Sequence, residues 1–193
     1  LALDASGKVS ITPNVLLTDA ENALKATMNG RDGFSSASGA RVQFNGLLAS
    51  GSVGASGILV FDLGLKGAGP ATEVQVERAW ADCDRSVTVS ARAGFSPGHT
   101  YLFAVRGGAS GVRGASGEEV VASPAFYFLR AGKDLTQHVD AMPGKTRAEK
   151  RDTAARLEAV RQKLEPHFKT LELAGVPRQE IAAAWTFTVH TQG

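Results

Sequence analysis

Short runs that are apolar at every second position, broken by turn-forming residues, dominate residues 1–140. This alternation constrains the fold most, because side chains two apart along a strand share one face of a sheet. Val42 and Phe44 fall on one face, and so do Val74 and Val76. Residues 86–92 put Val87, Val89 and Ala91 on one side and small polar residues on the other, and Tyr101, Phe103 and Val105 form another stripe. Residues 58–61 are apolar throughout, which predicts a strand covered on both faces, and residues 125–129 read the same way. Asn45-Gly46, Lys66-Gly67-Ala68-Gly69-Pro70, Asp82-Cys83-Asp84 and Ser96-Pro97-Gly98 punctuate the runs. Short strands joined by turns predict a mainly β protein, an antiparallel β-sandwich rather than an alternation of strands and helices.

The pattern changes near Pro143. From Thr146 to Ala174 the chain is dense in charge and in helix formers. Leu157, Val160, Leu164, Phe168 and Leu171 step by three or four and share one helical face. Thr146 with Glu149 spells a capping box, and Gly175 followed by Pro177 is a stop signal. Pro166 either kinks one long helix or begins a second. Trp185, Phe187 and Val189 then alternate with polar residues and predict a closing strand. The expected organisation is a single domain over 1–193. It has an extended lead-in over 1–35 and a helical insertion over 144–175 that buries its stripe on the sandwich.

Composition removes several functions. Lys plus Arg is 21 and Asp plus Glu is 19, so the formal net charge is +2. A dedicated nucleic-acid binder carries a strong basic excess. Hydrophobic residues make up 43% and charged residues 21%, a globular balance. No apolar run reaches membrane-spanning length. One cysteine, Cys83, allows neither an internal disulfide nor a cysteine-built zinc site. A chain of 193 residues buries roughly 70% of its unfolded surface and needs no metal staple. It opens on Leu1 with no visible leader, which predicts a processed or excised piece.

The residues that suggest chemistry each have a plainer explanation. Gly144-Lys145-Thr146 looks like the end of a phosphate loop, but the first glycine of that motif is replaced by Val139. Gly-Ala-Ser-Gly occurs at 54–57, 108–111 and 114–117, and none of its serines sits in the spacing of a nucleophile elbow. The last two copies flank Val112-Arg113 and read as a flexible hairpin loop. His99, His138, His167 and His190 are too far apart in sequence for a local metal pair and are expected to be solvated. Asp82 and Asp84, with Asp62, Asp32 and Asp19 as further candidates, fall short of the six to eight oxygens calcium takes. Cys83 between two carboxylates is no low-pKa nucleophile. The mixed charges of the helix read as a solvated face laced with short-range ion pairs. The residues therefore predict no catalytic group, no cofactor and no metal. The Gly-rich loops near 51–57 and 107–117, with Ser52, Ser56, Ser110, Arg113 and Ser116, are the expected contact surface.

The order of landmarks carries a resemblance. Pro13-Asn14-Val15-Leu16-Leu17-Thr18-Asp19 comes first, then Arg31-Asp32-Gly33-Phe34-Ser35 and Leu59-Val60-Phe61-Asp62-Leu63. Phe95-Ser96-Pro97-Gly98-His99-Thr100-Tyr101 and Ser123-Pro124-Ala125-Phe126 follow. Leu173-Ala174-Gly175-Val176 ends the helix and Ala184-Trp185-Thr186-Phe187-Thr188 closes the chain. This series resembles the N-terminal region of bacterial virulence-factor lipases and related large surface lipoproteins, and Pro-Gly-x-x-Tyr resembles bacterial Ig-like modules. The resemblance implies an Ig-like sandwich that precedes another domain, exported to a Gram-negative outer membrane or secreted. The catalytic elbow of such lipases lies downstream, so none of their catalytic residues maps here. Three functions follow as expectations: a non-catalytic module that presents a neighbouring domain or binds a protein partner, a contributor to an ester hydrolase, or a self-associating surface subunit.

Overall fold

The computed structural model describes residues 2–3, 8–13, 18–29, 31–37, 39–54, 56–81 and 85–191. Residues 14–17 of the first landmark and the Asp82-Cys83-Asp84 turn lie outside them. In chain order the elements are β1 (Ala2–Leu3), β2 (Val9–Ser10), α1 (Asp19–Met28), β3 (Ala40–Gln43), β4 (Ile58–Leu65), β5 (Thr72–Glu73), β6 (Val76–Ala81), β7 (Ser86–Ala91), β8 (His99–Arg106), α2 (Pro124–Leu129), α3 (Arg147–Leu173) and β9 (Ile181–Thr188).

β3, β7 and β6 form one antiparallel sheet in the order β3-β7-β6. The other sheet has the order β5-β4-β8-β9 and is also antiparallel throughout. β1 and β2 make a separate two-stranded ladder. The two larger sheets face each other in a β-rich, sandwich-like arrangement. Ile58, Val60, Tyr101, Phe103 and Val105 from one sheet meet Val76, Val87 and Val89 from the other in a single buried cluster.

The central strands β4 and β8 are covered on both sides, as the unbroken apolar run at 58–61 predicts. Ile58 and Val60 face the opposite sheet, while Phe61 and Leu63 face away from it with Leu102 and Ala104 of β8. That second face is covered by Phe168 and Leu171 of α3, both fully buried. Burying each such side chain stabilises by about 1.5–3 kcal/mol.

α3 is one helix through Pro166, with the Thr146–Glu149 capping box in place. Only its C-terminal half lies on the sheet. Its N-terminal half packs Ala154 and Leu157 against Leu135 and Met142 of the preceding connection. Val160, expected on the buried stripe, is 44% exposed.

Two expectations from sequence are corrected. Residues 125–129 are helical, not a strand: Ser123 caps α2 by accepting the N–H of Phe126, and Pro124 sits in the first turn, where its missing donor costs nothing. The lead-in over 1–35 is not wholly extended, because it contains α1. The Thr18 hydroxyl accepts the N–H of Glu21, whose carboxylate accepts the N–H of Thr18. That capping box and a run of Ala, Leu and Lys set the helix locally, and no residue of α1 is buried. Asn29 then brackets the backbone of Ile11, accepting its N–H and donating to its carbonyl.

Candidate functional site

The two Gly-rich loops meet at one end of the sandwich. Ser52 Oγ accepts the Arg113 N–H at 3.0 Å and lies 2.7 Å from the Ala49 carbonyl, to which it donates. Leu48 bridges Gly114, and Ala115 N–H donates to Leu47. Arg113 turns its guanidinium back onto the carbonyls of Ala109 and Gly117, and Val112 between them is fully buried. The 107–117 segment is therefore a pinned part of the fold, not a flexible hairpin. Of the expected contact residues, Ser52 and Arg113 are brought together as structural pegs, while Ser56, Ser110 and Ser116 are exposed.

The histidines expected in solvent are largely engaged. His99 Nδ1 lies 3.0 and 2.9 Å from the two oxygens of Asp62, whose carboxylate also accepts the Gly64 N–H. His190 Nδ1 lies 3.0 Å from Asp32. Asp32 also accepts from the hydroxyl and the N–H of Thr191, and these bonds hold its carboxyl below the usual carboxylate range. His167 is half-buried, and burial lowers its pKa; His138 is exposed. The His99–Asp62 contact had one legible signal. Asp62 is the polar residue in phase with the inward-facing Ile58 and Val60.

One motif escaped the sequence reading. Gly94-Phe95-Ser96-Pro97-Gly98 has the Gly-x-Ser-x-Gly spacing, with Ser96 three residues before His99. It lies in the turn leading into β8 rather than between a strand and a helix, as an elbow requires. Both glycines have φ near +75° (78° and 75°), so the turn geometry itself demands them. Ser96 N–H donates to the Tyr101 hydroxyl at 2.8 Å, and the Ser96 hydroxyl makes no hydrogen bond to His99. A nucleophile needs that bond to its base.

Much of the charged face of α3 is solvated as expected, with Arg147, Arg151 and Lys163 exposed and Arg156 paired to Asp152 one turn away, but one part of it is not. Glu158 is 5% exposed and accepts both nitrogens of the Arg161 fork at 2.8 Å, the Gln162 amide and the Leu135 N–H. Arg161 continues to Glu165, which Arg178 grips through two nitrogens before reaching Glu172. The Arg161 fork is the main reason that Glu158 is pulled down to about 2, well below the usual carboxylate value. The ladder ties α3 to the segment entering β9.

Two concave regions of the described residues stand out. One, of about 470 Å³, is lined by Arg130 and Arg178, but Arg130 is spent on the Ile181 carbonyl and Arg178 on its carboxylates. The other, of about 550 Å³, lies between residues 42–48 (the end of β3 and the turn after it), residues 118–126 and the start of β9. Its wall is mainly apolar, and its rim carries Leu47 at 50% exposed and Val121 at 75%. The charged side chains on it are Glu118 and Glu119.

Among the described residues no group of three His, Cys, Asp or Glu could hold a metal ion, and Asp62, Asp32 and Asp19 do not converge. No described helix is long and apolar enough to cross a membrane. No family model matches the chain, and no curated protein matches it at a significant level.

Proposed function

We propose that this chain is a non-catalytic Ig-like module of an exported or cell-surface bacterial protein, which presents a neighbouring domain or binds a protein partner. The observation that carries the Ig-like reading is strand order joined to one hydrogen bond. If β3 to β9 are lettered B, C, C′, D, E, F and G, the sheets become B-E-D and C′-C-F-G, the order of an Ig sandwich. Tyr101 near the start of strand F bonds back to the Ser96 backbone, as in the tyrosine corner of such folds. With one cysteine the inter-sheet disulfide of antibody domains is not available, so the buried cluster holds the sheets together. The connection between F and G, residues 107–180, is greatly enlarged and carries α2 and α3.

The non-catalytic part rests on how the chemistry-bearing residues are used: Ser52, Arg113, Asp62, His99 and Glu158 all bind other parts of the fold. Export rests on the resemblance to surface lipoproteins. An antibody to this chain should detect, in fractionated source cells, a band well above 20 kDa in the outer-membrane or secreted fraction. A band confined to the cytosol contradicts the reading. Purified protein should hydrolyse a short-chain aryl ester no faster than its Ser96→Ala variant, and turnover lost in that variant would make the chain an ester hydrolase instead.

A further inference from the structure

We propose that the seam between β3 and β9 is a strand-acceptor groove. It binds an extended segment of another protein that is apolar at alternate positions and carries a lysine or arginine placed to reach Glu118. The inference rests on the reading of the chain as a partner-binding module and names the chemistry of the partner.

Among the described residues, both strands bordering the seam have an edge with no neighbouring strand. Phe44 N–H donates to the carbonyl of Arg85, the residue just before β7, so alternation turns the backbone groups of Gln43 away from that sheet. On β9, Val189 N–H donates to His99 across to β8, while Thr188 and His190 bond Phe34 on the opposite side. By the same alternation Ala184 and Thr186 present their N–H and C=O groups to the seam. Gln43, Ala184 and Thr186 have no backbone partner on that side among the described residues. Among the described residues, the chain's own contribution to this edge is one parallel rung at Phe34. Asp32 then bonds Thr191, beyond the end of β9, and Ser36 bonds Phe95, so the chain leaves the edge in both directions.

The inward-turned side chains along the seam are apolar and incompletely covered. Val42, Phe44, Trp185 and Phe187 pack against the buried inter-sheet cluster yet are only partly buried. An extended segment would bond both edges through its backbone and place alternate side chains on this surface, the mode known as strand addition. Charge selects the occupant. The charged side chains on the adjoining groove are carboxylates. Glu119 has Arg113 4.0 Å away, and Glu118 has no ion pair among the described residues. A cation on the incoming strand meets that carboxylate.

The test uses a labelled peptide of alternating valine and threonine with lysine at each end, titrated by fluorescence anisotropy. Gln43→Pro and Thr186→Pro each remove one seam-facing N–H, a change that an edge strand tolerates. Saturable binding by the native chain is expected to weaken at least tenfold in either variant, while each keeps the native far-UV spectrum and melting curve. Glu118→Lys should also lose the lysine peptide and gain the same peptide with glutamate ends. If a proline variant misfolds, the charge exchange decides alone. Absence of saturable binding, or equal binding by native, Pro and Lys variants, overturns the proposal. A dimer in sedimentation that Thr186→Pro abolishes also overturns it, since the occupant is then a second copy. None of these failures affects the fractionation result on which the module reading depends.

Discussion

The hydroxyl of Tyr101 accepts the N–H of Ser96 at 2.8 Å, so the first core residue of β8 also closes the turn that leads into it. Tyr101 is 2% exposed and its ring contacts Phe95 and Phe187. Tyr101→Phe keeps the ring and leaves the Ser96 N–H unpaired. It is expected to lower stability by about 1–1.5 kcal/mol with no change of fold. Urea unfolding followed by tryptophan fluorescence measures this, and an unchanged midpoint would mean that the bond contributes nothing.

Acid should weaken the protein through α3. The folded-state pKa of Glu158, about 2, lies below the ordinary 4.5, so folding favours the ionised form. That contribution is complete above the unfolded value and is lost as pH falls from about 4.5 through about 2. Glu165, lowered chiefly by its bonds to Arg178, acts in the same direction. The melting temperature of the native chain should therefore drop more steeply between pH 5 and pH 2 than that of Glu158→Gln. At pH 7, Glu158→Ala is expected to cost about 3 kcal/mol. This is the low end for a broken buried pair, because Arg161 keeps Glu165.

Phe168 tests whether α3 holds the outer face of the β4–β8 pair. It is fully buried against that face, beside Phe126 and beneath the Arg178 guanidinium, which lies 4.9 Å from its ring centre. Phe168→Ala should cost about 3–5 kcal/mol, read as a shift in the urea midpoint. A loss below 1 kcal/mol would mean that the helix is not packed there.

Gly33 lies where the lead-in crosses β9. A Cβ at this position would sit 2.5 Å from the Thr188 carbonyl oxygen and 2.7 Å from the His190 nitrogen. Both are backbone atoms, so Gly33→Ala must break the Phe34 rung. The expected cost is about 1–3 kcal/mol, with faster amide exchange at His190 in NMR and little change at Phe103.

The sequence was legible where a period held over several residues. Val87 and Val89, Tyr101 and Phe103, and the run at 58–61 lie as their spacing predicts, and Thr146 with Glu149 marks the start of α3. Residues 125–129 misled because a short apolar run does not distinguish a strand from a helix; Ser123-Pro124 ahead of it was the deciding signal. α1 was missed although Thr18 with Glu21 is the same box that marks α3. Glu158 and Arg161 lie in phase with Ala154 and Phe168, so they are buried on the apolar face of the helix rather than solvated. The phase of Asp62 with Ile58 and Val60 was the one local trace of the His99–Asp62 contact; its partner, and the open seam, depend on which strands become neighbours, which local pattern does not record.

The most direct measurement of the account is residue-resolved amide hydrogen exchange on the unliganded chain. A sandwich with an open seam requires the amides of Gln43, Ala184 and Thr186 to exchange quickly, while Phe44 and Val189, bonded across to β7 and to His99, stay protected. Protection at Ala184 and Thr186 equal to that of Val189 would show the seam already closed and would contradict the account.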